Sequence, residues 1–186
     1  MTTNGGRVLV ICYGNLCRSP MAEGLLRARL GAEWEVCSAG TNAYGGDSPS
    51  PLGCEAIRRE HDIDITHQVS TPLTVQELDA ADHVFAMSVQ QAKIAAALGN
   101  VADRVRLFGG FAPTQEPVAG SADPGGTTAS VFEVADPMGG TYEEYSTCLE
   151  RLRQCTDNCA TWLESGAPEA AGPPAVASAR WRLQTG

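Results

Sequence analysis

The stretch Arg7-Val-Leu-Val-Ile-Cys12-Tyr-Gly-Asn-Leu-Cys-Arg18-Ser-Pro-Met-Ala-Glu23 decides the fold. Arg7-Val-Leu-Val-Ile11 is a short, Val-rich apolar run of the kind that forms a buried parallel strand, and a helix opens at Ser19-Pro20. Five residues, Tyr13, Gly14, Asn15, Leu16 and Cys17, separate Cys12 from Arg18. A loop this short, ending at a helix N-terminus, aims successive backbone N–H groups at one centre, and the helix dipole adds partial positive charge there. Such a junction holds an anion, phosphate above all. The same field favours the ionised form of a thiol at the loop's start, which makes Cys12 a candidate nucleophile. Arg18 adds a planar fork for two anion oxygens.

Working outward, the apolar runs at 34–38, 83–87 and 104–108 repeat the strand signature. Helical patterns separate them at Ser19 to Leu30, Pro51 to His61, Val89 to Leu98 and Thr141 to Leu163. Thr74 with Glu77 and Thr141 with Glu144 fit the capping-box spacing, so a short helix also starts near Thr74. Strands alternating with helices predict a parallel sheet covered on both faces, with the ligand beyond the carboxyl ends of the strands, where Cys12 lies. In the last helix Tyr142, Tyr145, Leu149, Leu152, Cys155, Cys159 and Trp162 recur three or four apart and should line one face against the sheet.

The 186 residues suffice for one domain, read as 1–165, with 109–135 as a long Gly- and Pro-rich loop or insertion and 166–186 as a disordered tail anchored at most by Trp181. The formal net charge of -9 argues against nucleic acid or an anionic membrane as partner. It also means that any anion site must work through local dipoles and Arg18. No basic-then-apolar leader and no apolar run near the roughly 20 residues of a membrane span is present, so a cytoplasmic protein is expected. Seven cysteines, an odd number without a C-x2-C pair, fit reduced thiols better than disulfides or a zinc site. No metal is expected.

The extended segment Cys12-Tyr-Gly-Asn-Leu-Cys-Arg-Ser-Pro-Met-Ala-Glu23 resembles the signature of the low-molecular-weight protein tyrosine phosphatases. Ser38-Ala-Gly-Thr41, His67 before Pro72-Leu-Thr74, Ala81-Asp82, Met87 and Asp136-Pro137 follow in that family's order. The resemblance implies a bacterial member with a flavodoxin-like three-layer αβα fold, a four-stranded parallel sheet of order 2-1-3-4, and no cofactor. It implies a monomer acting on phosphorylated proteins or peptides.

On the same ground Cys12 would form a phosphocysteine, while Arg18 and the amides of residues 13–18 hold the phosphate oxygens. Asp136 would serve as general acid and then base. Asn15, Ser19, Ser38 and His67 would form a supporting network, with the Ser19 hydroxyl bonding the thiolate. Cys17 would act as a redox latch, closing a reversible disulfide with Cys12.

A second Asp-Pro pair, Asp123-Pro124, competes for the acid's role. Asp136 is preferred because it directly precedes the Thr141 capping box. Leu16, aliphatic where the arginine-phosphatase branch carries Thr, favours phosphotyrosine. The segments Thr71-Pro-Leu-Thr74 and Asp136-Pro-Met-Gly-Gly140 resemble that other branch. Met138 replaces the aromatic residue common after Asp-Pro, leaving Tyr13 and Tyr44 as candidate aromatic walls. Arsenate reductases share this fold but need a thiol relay, and no cysteine lies between Cys54 and Cys148. A phosphate-binding module without turnover would need neither thiolate nor acid.

Overall fold

The computed structural model describes residues 5–113 and 132–177. Four parallel strands, β1 (Arg7–Cys12), β2 (Glu35–Gly40), β3 (His83–Ala86) and β4 (Val105–Leu107), pair in the order β2-β1-β3-β4, as expected. Five α-helices accompany them: α1 (Arg18–Leu30), α2 (Pro51–His61), α3 (Val75–Ala80), α4 (Val89–Leu98) and α5 (Tyr142–Glu164).

The twofold alternation of β1 builds both layers. Val8, Val10 and Cys12 face one core with Met21 and Leu26 of α1, Ile57 of α2, and Leu149 and Leu152 of α5. Leu9 and Ile11 face the other with Leu78 of α3, and Ala92 and Ala95 of α4. All four β1 residues 8–11 are fully buried, which explains their unbroken apolarity.

The Thr141 capping box is complete: its hydroxyl accepts from the Glu144 N–H, and the Glu144 carboxylate accepts from the Thr141 N–H. Thr74 shows only half the motif, accepting from the Glu77 N–H, because the Glu77 carboxylate instead binds the Arg7 guanidinium at 2.6 Å. The apolar stripe of α5 is buried from Tyr145 to Trp162. Tyr142 is diverted to α2: its hydroxyl donates to Glu60, and Arg59 stacks on its ring.

Parts of the connection and of the tail carry described structure. The connection 109–135 is built at both ends: Phe108–Phe111 form a buried 3-10 turn, the Val134 N–H donates to the Met87 carbonyl, and Glu133 accepts from the Val89 N–H. Residues 114–131, including Asp123, lie outside the described residues. The tail, in turn, is not shapeless from 166 onward. It forms a 3-10 turn at Glu169–Ala171 and runs over the outer edge of β4, where the Val176 N–H donates to the Val105 carbonyl and Val176 is buried. Proline has no N–H to satisfy, so only its carbonyl needs a partner. The Trp162 indole donates to the Pro168 carbonyl and the Arg106 Nε to that of Pro173. Trp181 falls outside the described residues.

Candidate active site

Beyond the carboxyl end of β1, residues 13–17 curl from Cys12 into α1. Four carbonyls of this stretch accept backbone N–H groups: those of Cys12 and Tyr13 from Thr41 and Asn42 after β2, that of Leu16 from Ser50, and that of Cys17 from Met21 within α1. With these carbonyls engaged and the Asn15 N–H directed at the Cys12 sulfur, the loop offers donors toward one centre, as an anion cradle does. Asn15 sits in the left-handed region at φ 55, the local bend this curl requires. Gly40 makes the close approach possible, since a Cβ there would lie 2.8 Å from the Tyr13 carbonyl oxygen and 2.9 Å from the Asn15 nitrogen. α1 opens with no capping side chain and no acidic residue in its first turn, so nothing in its own sequence offsets the positive end of its dipole.

Cys12 is 2 % exposed. Its sulfur accepts from the Asn15 N–H at 3.3 Å and from the Ser19 hydroxyl at 3.0 Å, bonds of the kind that favour a thiolate. Asn15 holds the loop from within. Its Oδ1 accepts from the Thr71 N–H at 2.8 Å, and its Nδ2 donates to Ser19 at 2.9 Å and to Ser38 at 2.8 Å. Ser38 donates in turn to Glu23 at 2.6 Å.

The structure brings together Asn15, Ser19 and Ser38 as anticipated. It leaves out His67, which is exposed and close enough to Glu23 only to be felt electrostatically. In its place stand Glu23 and the Thr71 N–H, both missed. Glu23 stands four residues before Arg27 on α1 and pairs with it, and only the fold brings Ser38 to the same carboxylate. The pairing of β1 with β2 sets that meeting, with Val10 opposite Ser38 and Cys12 opposite Gly40.

Arg18 is buried, and both its terminal nitrogens reach the strand-like segment before α5, donating to the Val134 carbonyl at 3.1 Å and pairing with the Asp136 carboxylate. The Nε of Arg18 is buried without a partner among the described residues. The fork anticipated for phosphate thus grips the candidate acid, and Asp136 meets the loop from 118 positions further along the sequence. The Asp136 carboxylate also accepts from the Met138 N–H, an Asx-type turn that fixes its approach.

Cys17 lies behind the loop. Ser50 donates to the Tyr145 hydroxyl at 2.7 Å, which leaves the Tyr145 proton to face the Cys17 sulfur at 3.3 Å. Burial pushes the Cys17 thiol up to about 11 and the Tyr145 phenol up to about 12, and so keeps both protonated at neutral pH. Burial likewise pushes Cys148 up, beside the same pocket. Tyr13 is exposed, braced by Asn42 Nδ2 on its hydroxyl at 3.0 Å, and Met138 and Tyr44 are exposed too. Leu16 is partly buried against the larger core.

A parallel α/β sheet carrying a cysteine-to-arginine anion loop at the carboxyl end of its central strand, with a carboxylate paired to the arginine, has the architecture of a phosphatase. The chain belongs to the low molecular weight phosphotyrosine protein phosphatase family, whose model matches residues 7–167, and it is a phosphatase hydrolase. It is 33% identical over 161 residues to a protein-arginine-phosphatase of Bacillus subtilis (84% of this chain, 96% of the relative). It is 34% identical over 149 residues to arsenate reductase 1 of Bacillus cereus (77% of this chain, 96% of the relative). The solved low molecular weight protein tyrosine phosphatase from T. tengcongensis superposes with a TM-score of 0.71 at 30% identity, covering 84% of this chain and 99% of that one. No helix among the described residues is long and apolar enough to cross a membrane.

Proposed function

We propose that the protein removes phosphate from phosphotyrosine in bacterial proteins, as a cytoplasmic monomer, through a phosphocysteine intermediate. The Cys12 thiolate attacks phosphorus in line. The P–O bond to the leaving phenol breaks as the P–S bond forms, and Asp136 supplies the phenol's proton. In the second step the Asp136 carboxylate takes a proton from water, whose oxygen displaces the sulfur and releases inorganic phosphate. Arg18 and the inward N–H groups hold the non-bridging oxygens while charge redistributes, so most of the catalysis is electrostatic positioning. Phosphate entering the cradle competes with Asp136 for Arg18, which frees the carboxylate to face the leaving group.

The observation that carries this reading is a buried sulfur that accepts two hydrogen bonds, in a loop whose Cys12, Tyr13, Leu16 and Cys17 carbonyls are already engaged by backbone N–H groups. The aliphatic Leu16 and the exposed ring of Tyr13 suit a flat aromatic leaving group. A second reading, phosphoarginine, is favoured by the likeness to the Bacillus subtilis enzyme. Turnover of matched phosphotyrosine and phosphoarginine peptides by wild type and Leu16→Thr separates the two. Tyrosine preference that weakens in the variant is expected, and arginine preference in the wild type would overturn the substrate assignment. Thiol-dependent arsenate consumption would instead favour the chemistry named for the Bacillus cereus relative. Cys17 is proposed as the redox latch of Cys12; mild peroxide followed by peptide mapping should find the Cys12–Cys17 linkage, and its absence would remove the latch.

A further inference from the structure

We propose that Glu23 is a positioning residue of this reaction: acting through Ser38 and Asn15, its carboxylate holds the Ser19 hydroxyl proton on the Cys12 sulfur. The inference rests on the reading of Cys12 as the nucleophile.

The argument is one of donors and acceptors. A backbone N–H can only donate, so the Thr71 N–H on Asn15 Oδ1 fixes that amide's orientation and leaves Nδ2 to give both hydrogens, one to Ser19 and one to Ser38. Each serine oxygen then receives a hydrogen and has one proton of its own to place. Ser19 places it on Cys12 and Ser38 on Glu23. An ionised carboxylate only accepts. The chain therefore has one polarity, set by the Thr71 N–H at its centre and by Glu23 at its far end.

If Glu23 could donate, two donors would converge on Ser38, and its proton would contend with Asn15. Asn15 is the left-handed residue whose own N–H also reaches the sulfur, so loosening it disturbs both hydrogen bonds that Cys12 receives. The simpler interpretation is a surface ion pair with Arg27 at 2.9 Å. The Glu23 side chain, however, is only 8% exposed, and its second oxygen faces Ser38. Burial raises the Glu23 carboxyl, while Ser38, Arg27 and His67 act in the opposite sense.

The test is a cycle of Glu23→Gln, Ser38→Ala and the double variant, with Arg27→Gln beside it. Two quantities are read: the pH of half-maximal Cys12 alkylation by iodoacetamide, followed by peptide mapping, and kcat and KM on an aryl phosphate. The ionisable groups sharing the pocket, Arg18, Asp136, Cys17 and Cys148, are unchanged throughout. Removing a nearby negative charge would by itself favour the thiolate and move the alkylation midpoint down. The proton chain requires the reverse.

Glu23→Gln should move the midpoint up and lower kcat about tenfold, with KM nearly unchanged. Ser38→Ala should do the same, and the double variant should be no worse than Ser38→Ala. A midpoint that falls or stays, additive effects in the double variant, or Arg27→Gln reproducing the shift would each overturn the proposal. Ser38→Ala tests the chain even if Glu23→Gln fails to fold. Wild-type turnover through a trapped phosphocysteine is measured separately, so failure of the chain is distinguishable from failure of the nucleophile.

Discussion

At the scale of residues, the account turns on Cys12 and Arg18 of one loop and on Asp136, which arrives from 118 positions further along the sequence. Asp136 reaches Arg18 and is braced by the Met138 N–H, whereas Asp123 lies outside the described residues. Asp136→Asn should lower kcat on aryl phosphate by about 10² to 10⁴, the range of general acid catalysis. Asp123→Asn should change it little, and steady-state turnover of both variants ranks them. The reverse ranking would transfer the acid's role to Asp123. Cys12, Arg18 and Asp136 were legible because each sits in a spaced motif. Glu23 was not, because nothing local distinguishes an i,i+4 Glu–Arg pair on a helix surface from a buried carboxylate that accepts from a serine on a neighbouring strand. The exposed position of His67 was not legible for the same reason: a residue's place in order along the chain does not say which way its side chain turns.

At the scale of elements, strand and helix positions followed from periodicity, and α2 and α4 match their sequence-based ranges. Even the start of α1 one residue early, at Arg18, is within ordinary fraying of an assignment. What could not be read was the strap after α5. Its Ala- and Pro-rich composition resembles disordered chain, and its order depends on tertiary acceptors and donors: the Trp162 indole, the Arg106 guanidinium stacked on that indole, and the open edge of β4. Truncation after residue 167 should therefore cost about 2 kcal/mol, the burial of a side chain such as Val176, measured by urea denaturation. Because Tyr145 and Trp162 are about 25 Å apart along α5, kcat should survive the deletion. Unchanged stability would mean that the strap contributes nothing to the folded domain.

At the scale of the whole molecule, the sheet order β2-β1-β3-β4 puts β1 at the centre, with a core on each face, and delivers Cys12 to the end of the most buried strand. The neighbouring chain after β2 then ties down the loop's carbonyls, and the segment before α5 brings the acid. In the function proposed here, a protein of net charge -9 would draw its anion site from oriented backbone dipoles and one buried arginine, without a basic surface. The central claim is that phosphate passes through covalent attachment to Cys12. Rapid acid quenching during turnover of a ³²P-labelled aryl phosphate tests it most directly: the account predicts label on the peptide containing Cys12, absent in Cys12→Ser, which should also be inactive. A quenched enzyme carrying no label, together with full activity in Cys12→Ser, would contradict it.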